Sequence, residues 1–300
     1  MRAMRGRTDR EEFALVFVFS SDIAFRLIKN ISELETVYQK FDHAQFLTLD
    51  PIGFVHRYKN PLDQEVVGVF AALLAYGRVE TIRGSIEKVL NVFHALGPSP
   101  SQVMTTIEEA DLDRELRTRL SGFTHRFNTG SDVRVLARLV RETLLEYGSL
   151  GRFFREKRGD SDPTIQRTLA GAIQDWSTRA RRLRAAPSFY FFLTDPTRGS
   201  ACKRWNMFLR WMIRHDRIDL GIWGPKRGGA FHPRELVLPL DVHTWRLCQT
   251  LGFSKMRTPN WKAALEITAR FREINAEDPV RFDFALCHLG MIQYRKGKRE

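Results

Sequence analysis

The sequence has little cysteine and lacks a long apolar run. Its 300 residues include three cysteines, Cys202, Cys248 and Cys287, which form no Cys-x-x-Cys pair. This spacing excludes a disulfide framework and the common zinc and iron–sulfur motifs, and it fits a reducing compartment. The apolar run at residues 13–19 is shorter than the ~20 residues that span a bilayer. We therefore expect a cytoplasmic protein with no membrane partner, and we interpret residues 1–30 as an N-terminal appendage.

Acidic residues are also in deficit. The chain has 48 Lys and Arg against 35 Asp and Glu, which gives a net charge of +13. A field of this sign favours a polyanionic partner, so DNA is the first candidate. Charge alone leaves open the alternative that these basic side chains form an ordinary solvated surface.

Strand-like alternation is absent from the sequence, whereas helical periodicity recurs along it. Val66, Val69, Phe70 and Leu73 follow the spacing of a buried helix face. The pair Asn60-Pro61 just before them is typical of a helix start, with a polar cap followed by proline. These patterns predict an all-α fold.

The helical segments also suggest how the chain is organised. Residues 130–215 form one unbroken helical series, and residues 60–96 are apolar enough to be buried. The two ends of the chain are therefore expected to share a lobe. We predict one helical domain over residues 31–300, made of two lobes with a cleft between them.

Two segments place chemically useful residues at helix starts. A turn containing Gly199 lies between the aromatic segment 189–192 and a helix that begins near Lys203, and glycine at this position supplies the backbone freedom that such a turn needs. Such a turn can aim the free N–H groups of the second helix at a phosphate, although it also suits an ordinary helix connection. In the first helical turn the dipole disfavours a cation, so we expect a lowered pKa for Lys203, as an amine nucleophile requires. As an isolated residue, Lys203 also fits a solvated surface.

Asp241 stands at the start of the next helix. It follows Pro239-Leu240 and precedes Val242-His243, so it occupies an N-cap position. The cap alone would contribute about 1 kcal/mol to stability. A carboxylate held ionised there could also stabilise positive charge at a sugar C1′ during base loss, and the two roles are compatible.

These segments carry a family resemblance. Gly199-x-x-x-Lys203-x-x-Asn206-x-x-Leu209 resembles the second half of the helix-hairpin-helix, here at residues 187–213, of endonuclease III-like DNA glycosylases. Asp241-x-His243-x-x-Arg246-x-Cys248 resembles the motif around their essential aspartate. The resemblance implies that Lys203 is the Schiff-base lysine and Asp241 the catalytic carboxylate. From its position two residues after Asp241, we expect His243 to pack or hydrogen-bond behind that carboxylate.

Further stretches extend the resemblance. Residues 60–78 are similar to the early buried helix whose end faces the DNA minor groove in that superfamily, while residues 50–58 and 284–290 resemble an uncharacterised bacterial family related to it. The chain departs from the pattern in three ways. The hairpin of that superfamily usually carries two glycines around an apolar residue, whereas Ser200 and Ala201 follow Gly199 here. The C-terminal cysteines that hold the iron–sulfur cluster of the endonuclease III branch are absent. Residues 215–237 form an insertion that we expect to loop out.

The resemblance implies a DNA glycosylase with abasic-site lyase activity, without a cofactor. Its partner would be double-stranded DNA with a damaged or abasic nucleotide, an oxidised purine being our preferred lesion, and its location would be the nucleoid. Arg198, Gly199 and Ser200 are predicted to contact a DNA phosphate. Tyr76, Gly77 and Arg78 are predicted to act as a wedge or to contact the minor groove. In the insertion, Lys226 and Arg227, with Trp223, are predicted as additional DNA contacts. The predicted base pocket contains Trp205, Phe284 and His288.

Two alternatives stay open at this point. A non-catalytic nucleic-acid-binding protein could keep the same hairpin, and a helical scaffold could use its basic surface on acidic protein partners. A metal site is not favoured, because His215, His232, His243 and His288 form no helical pair with an acidic partner at ligand spacing.

Overall fold

The computed structural model describes residues 49–159 and 162–287, together with residues 35, 38, 39 and 47. The appendage predicted for residues 1–30 lies outside the described residues. The described chain is mostly helical. Its α-helices are α1 (Ile52–Val55), α2 (Pro61–Leu73), α3 (Val79–Leu96), α4 (Pro100–Thr106), α5 (Glu109–Arg119), α6 (Gly130–Tyr147), α7 (Leu150–Glu156), α8 (Gln166–Arg182), α9 (Lys203–Ile213), α10 (Val242–Thr250) and α11 (Trp261–Ile274). Short 3₁₀ helices cover Pro187–Phe191, Pro196–Arg198, Pro225–Arg227 and Pro233–Glu235.

The helical content confirms the all-α prediction at the level of fold class. Among the described residues, the sheet structure is a small antiparallel hairpin between α5 and α6, formed by β1 (Thr124–His125) and β2 (Asn128–Thr129). Each strand has two residues, too few to show alternation in the sequence. Within the described part of the chain, no helix combines the length and the apolarity needed to cross a membrane. The division into two lobes stays a prediction.

Helix α2 lies at the centre of the core and positions the helix that carries Lys203. It starts as predicted, with the Asn60 side chain accepting a hydrogen bond from Leu62 N at 2.9 Å and Pro61 in the first turn. Its apolar stripe is fully buried. A Cβ atom at Gly68 would lie 2.9 Å from Met212 Cε and 3.2 Å from Phe208 Cε2 of α9, so these side chains would have to shift to accept a larger residue. The missing side chain allows α2 and α9 to pack closely.

The predicted insertion at residues 215–237 does not loop out. Backbone N–H groups of Leu220 and Gly221 both donate to Trp211 O at 3.0 Å, which folds the segment back onto the end of α9. Its apolar residues Trp223 and Phe231 are buried. The expectation of a DNA contact at Trp223 is therefore wrong, because this indole packs into the core.

A buried carboxylate ties this segment to the rest of the core. Glu65 of α2 accepts hydrogen bonds from Trp223 Nε1 at 2.6 Å, from Leu150 N at 2.7 Å and from Gly151 N at 3.1 Å. Burial raises the pKa of Glu65 to about 7, and the three hydrogen bonds oppose that rise. The folded protein therefore binds a proton here more tightly than the unfolded chain does.

Glu65 is expected to make stability depend on pH. Because its folded pKa lies above the unfolded value, its protonation stabilises the fold at low pH, and this contribution disappears as pH rises through about 7. Between pH 5 and pH 8 we expect wild type to lose on the order of 2 kcal/mol relative to Glu65→Gln, which does not titrate. Urea unfolding of both proteins at the two pH values measures this difference. Parallel pH profiles would show that Glu65 does not titrate in this range.

Candidate functional site

The turn before α9 is built by local hydrogen bonds. Asp195 Oδ1 accepts from Thr197 N at 2.8 Å, and Gly199 has φ +84°, a conformation that favours glycine. This confirms the prediction that the turn requires glycine at that position. Asn206 of α9 donates from Nδ2 to Ala201 O at 3.1 Å, which holds the end of the turn against the helix.

The expected use of this turn for phosphate needs a correction. The N–H of Arg198 donates to Asp195 O at 3.2 Å, and the N–H of Gly199 donates to Pro196 O at 3.1 Å. These two donors are therefore occupied within the turn and do not point freely outward. The Arg198 side chain itself is exposed and keeps its charge at the surface. Cys202 is the N-cap residue of α9, and its side chain makes no capping hydrogen bond to this helix.

Lys203 and Asp241 meet across the two helix starts. Lys203 Nζ lies 2.9 Å from Asp241 Oδ2, and the two side chains are 32% and 16% exposed. The other Asp241 oxygen, Oδ1, accepts from Thr244 N at 2.8 Å, so the carboxylate also caps α10 as predicted. The structure thus brings together the two residues that the motifs singled out, 38 positions apart in the chain, at a place that solvent can reach.

The ion pair sets the charge of both groups. Burial favours the neutral Asp241, but Lys203 and the Thr244 N–H outweigh it and hold the pKa of Asp241 at about 2, with His243 adding a smaller contribution. Burial likewise opposes the charge on Lys203, yet Asp241 raises the pKa of Lys203 well above its ordinary value. The expectation of a lowered pKa for Lys203 is therefore wrong for the free protein. The nearby carboxylate has a larger effect than the helix dipole.

Two further groups lie beside this pair and were not predicted as site residues. Cys287 Sγ lies 3.7 Å from Asp241 Oδ2, and burial raises the pKa of this thiol well above its ordinary value. Asp283 is 3% exposed and has a pKa raised to about 6 by burial, against the opposing charges of Arg210 and Lys203. Asp283 therefore adds to the effect of Asp241 in favouring the charged form of Lys203.

A network of buried ion pairs connects α9, which carries Lys203, to the segments around it. Arg210 of α9 pairs with Asp283 and, through Nε at 3.2 Å, with Asp219. Arg214 shares Asp219 at 2.8 Å and also pairs with Asp278 at 2.8 Å. The network fixes the insertion and the C-terminal segment to α9. The sequence signal for it was a pair of arginines, four residues apart, in an otherwise apolar helix end.

The predicted minor-groove residues lie where α2 ends and α3 begins. Gly77 and Arg78 are exposed, and Gly77 has φ +110°. Tyr76 is half-buried, and its hydroxyl donates to His125 O at 2.8 Å. Lys226 and Arg227 are exposed on their 3₁₀ helix. The three cationic side chains Arg78, Lys226 and Arg227 are therefore at the surface, where a nucleic acid could reach them.

The structure removes Trp205 from the predicted base pocket. Trp205 is 1% exposed, its Nε1 donates to Phe192 O at 2.8 Å, and its ring packs against Phe154 and Trp176. It belongs to the core, because the third position of α9 faces inward, and we no longer include it in a base pocket. Phe284 is 5% exposed beside Asp283. His288 lies outside the described residues.

Two depressions of the described surface are lined by residues other than Lys203 and Asp241. The larger one has a volume of about 570 Å³ and is lined mainly by the start of α8, including Arg167 and Gln174, with Thr197 at its edge. Neither Lys203 nor Asp241 lines it. Within the described ranges, no group of three or more His, Cys, Asp or Glu side chains is placed to hold a metal ion.

Comparison with known proteins gives one match. No curated protein and no solved structure matches the chain. Residues 50–292 match the model of a family described as a protein of unknown function (DUF2400). This match covers most of the sequence, including the segments that supply Lys203, Asp241 and the buried network beneath them. The chain therefore belongs to the DUF2400 family.

Proposed function

We propose that this protein is a DNA glycosylase with abasic-site lyase activity. The observation that supports this best is the ion pair between Lys203 Nζ and Asp241 Oδ2, 2.9 Å long, at the starts of two helices and partly open to solvent. An amine and a carboxylate in contact are the groups needed for imine chemistry at a sugar carbon. Both residues also lie in the motifs that resemble the endonuclease III-like glycosylases.

The proposed reaction uses these two groups in sequence. Lys203 Nζ forms a bond to C1′ while the bond from C1′ to the base breaks, and the base leaves with the bonding electrons and a proton. Asp241 stabilises the positive charge that develops at the sugar. Opening of the sugar ring gives a protonated imine on Lys203. Loss of a proton from C2′ then expels the 3′ phosphate and cleaves the strand.

Proton transfer is a necessary part of this proposal. In the free protein Asp241 keeps Lys203 protonated, and a protonated amine is not a nucleophile. The proton must therefore move to Asp241 or to the departing base before Nζ reacts. Asp241 is well placed to accept it, because its Oδ2 is already in contact with Nζ.

The wider surroundings are consistent with a DNA substrate. The chain has a net charge of +13, and Arg78, Arg198, Lys226 and Arg227 are exposed. In the proposal the chain has two lobes and a helix-hairpin-helix at residues 187–213, and a damaged nucleotide enters the cleft. The substrate is duplex DNA with a damaged base, an oxidised purine in our preferred version, which places the protein at the nucleoid. The segment before α9 contributes a 3₁₀ helix, Pro187–Phe191, in the place of the first helix.

Borohydride trapping tests this proposal. Wild-type protein is incubated with borohydride and duplexes that contain an abasic site, 8-oxoguanine or thymine glycol, and the adduct is digested and mapped by mass spectrometry. We expect a covalent adduct on Lys203, since reduction converts the imine into a stable amine. An adduct mapped to another lysine would move the nucleophile elsewhere. Duplex binding without any adduct would instead favour a non-catalytic nucleic-acid-binding protein.

A further inference from the structure

An exposed group of aromatic rings lies beside the start of α9. It consists of Tyr76, Phe127 and Phe191, and we call it the aromatic surface. Phe127 is 57% exposed and Phe191 is 37% exposed. Contiguous exposed apolar side chains, unlike single ones, often mark a surface that binds a partner. The three rings come from separate segments: the loop after α2, the β1–β2 turn and the 3₁₀ helix Pro187–Phe191.

The rings of the aromatic surface are in mutual contact. The Tyr76 and Phe191 centroids lie 4.8 Å apart, and those of Phe127 and Phe191 lie 5.3 Å apart. The planes of Tyr76 and Phe127 differ by only 4°, with centroids 6.4 Å apart. The three rings are therefore held in a defined arrangement relative to one another.

Hydrogen bonds fix this arrangement in place. The single proton of the Tyr76 hydroxyl lies within hydrogen-bond reach of two acceptors, His125 O and Asn128 Oδ1, one residue on each side of the hairpin turn that carries Phe127. Beneath the rings, Arg204 donates to Leu73 O at 2.7 Å and to Phe191 O. Its guanidinium lies 4.3 Å from the Phe191 centroid and 5.0 Å from that of Tyr76. A rigid surface loses little conformational entropy when it binds a ligand.

The β1–β2 turn also carries an arginine in an unfavourable backbone conformation. Arg126 has φ +54°, a left-handed conformation that residues other than glycine seldom adopt. Its guanidinium lies 5.4 Å from the Phe127 centroid. Arg78 is exposed in the neighbouring loop. Positive charge therefore borders the exposed rings.

We infer that the aromatic surface stacks the unpaired bases of a single-stranded nucleic acid, with Arg126 near the backbone phosphates. Exposed ring faces bordered by arginines form the combination that binds single strands with little sequence preference. The net charge of +13 favours the same partner. This inference does not require chemistry at Lys203. Arg204, which is buried under the rings, directly follows Lys203 in α9.

Equilibrium binding of a fluorescent 20-mer of deoxythymidine tests the inference. We expect Phe127→Ala to weaken binding by roughly 5- to 150-fold, the range for loss of one base–aromatic stack. Phe127→Trp should bind at least as well as wild type. Leu145→Ala is the matched control, because Leu145 is 56% exposed on α6 and belongs to no aromatic group. Equal affinities for Phe127→Ala and Leu145→Ala would overturn the inference.

Arg126→Gly separates binding from folding. Glycine suits the positive φ of this turn, so the variant should be at least as stable as wild type. We expect Arg126→Gly to bind the 20-mer more weakly than wild type does. The plot of log affinity against log salt concentration should also become less steep, by the amount that corresponds to about one lost phosphate contact. Binding unchanged in affinity and slope would remove Arg126 from the site.

The single-strand assay also stands apart from the glycosylase test. The aromatic surface shares no residue with the Lys203–Asp241 pair, so the two assays report on different groups of the protein. Absence of 20-mer binding with wild type, whatever the trapping result, would overturn this inference alone. Absence of a trapped adduct, with 20-mer binding that depends on Phe127, would overturn the glycosylase proposal alone.

Discussion

Lys203→Gln is expected to lower strand cleavage at abasic sites by roughly 10³-fold or more, since no other group can replace the nucleophile in an imine mechanism. Glutamine is similar in length and can still donate a hydrogen bond to Asp241. The variant should therefore fold and keep its affinity for duplex DNA. Gel-based cleavage of an abasic duplex, with a parallel binding isotherm, measures both quantities.

A second lysine variant makes this result specific. Lys88 is exposed on α3 and has no part in the proposed site, so Lys88→Gln changes the net charge equally. Cleavage should be retained in Lys88→Gln and lost in Lys203→Gln. If Lys203→Gln cleaved abasic DNA at the wild-type rate, the ion pair would have only a structural role, as a cap and a link between α9 and α10.

The sequence was most informative where local chemistry decides the structure. Gly199 was predicted from the demands of a turn, and it has the expected positive φ. Asp241 was predicted as an N-cap, and its carboxylate accepts the backbone hydrogen bond from Thr244. Asn60-Pro61 starts α2 in the same way. Each of these depends on neighbours within a few residues, which the sequence displays directly.

Predictions failed where distant segments decide the outcome. The pKa of Lys203 was expected to fall because of a helix dipole, an effect of about 0.3–1 kcal/mol at an exposed site. A carboxylate 38 residues away, at 2.9 Å from the amine, acts in the opposite direction and dominates. Trp223 and the turn bearing Phe127 were missed for the same reason. Their places depend on Glu65 and on Tyr76, which only the fold brings near them.

The buried network has the largest expected effect on stability. Arg210→Met is expected to cost about 3–5 kcal/mol, the usual loss when one partner is removed from a buried ion pair. Arg210 is 3% exposed and faces both Asp219 and Asp283, so the substitution leaves carboxylates in the core without their cation. Methionine nearly preserves the volume, which limits any packing defect. Urea unfolding at pH 8 gives the free energy difference.

Two comparisons show whether charge is the cause. Arg119→Met removes an ion pair of α5 whose side chains are 43% and 34% exposed, and it should cost only about 0.3–0.5 kcal/mol. Acidification should lessen the defect of Arg210→Met, because Asp283, whose pKa is already about 6 beside Arg210, can then become neutral. Asp283→Asn added to Arg210→Met should recover part of the lost stability at pH 8 for the same reason. A defect independent of pH and of Asp283 would indicate that Arg210 acts through packing. In that case Asp283 would depend on other contacts for its position beside Lys203.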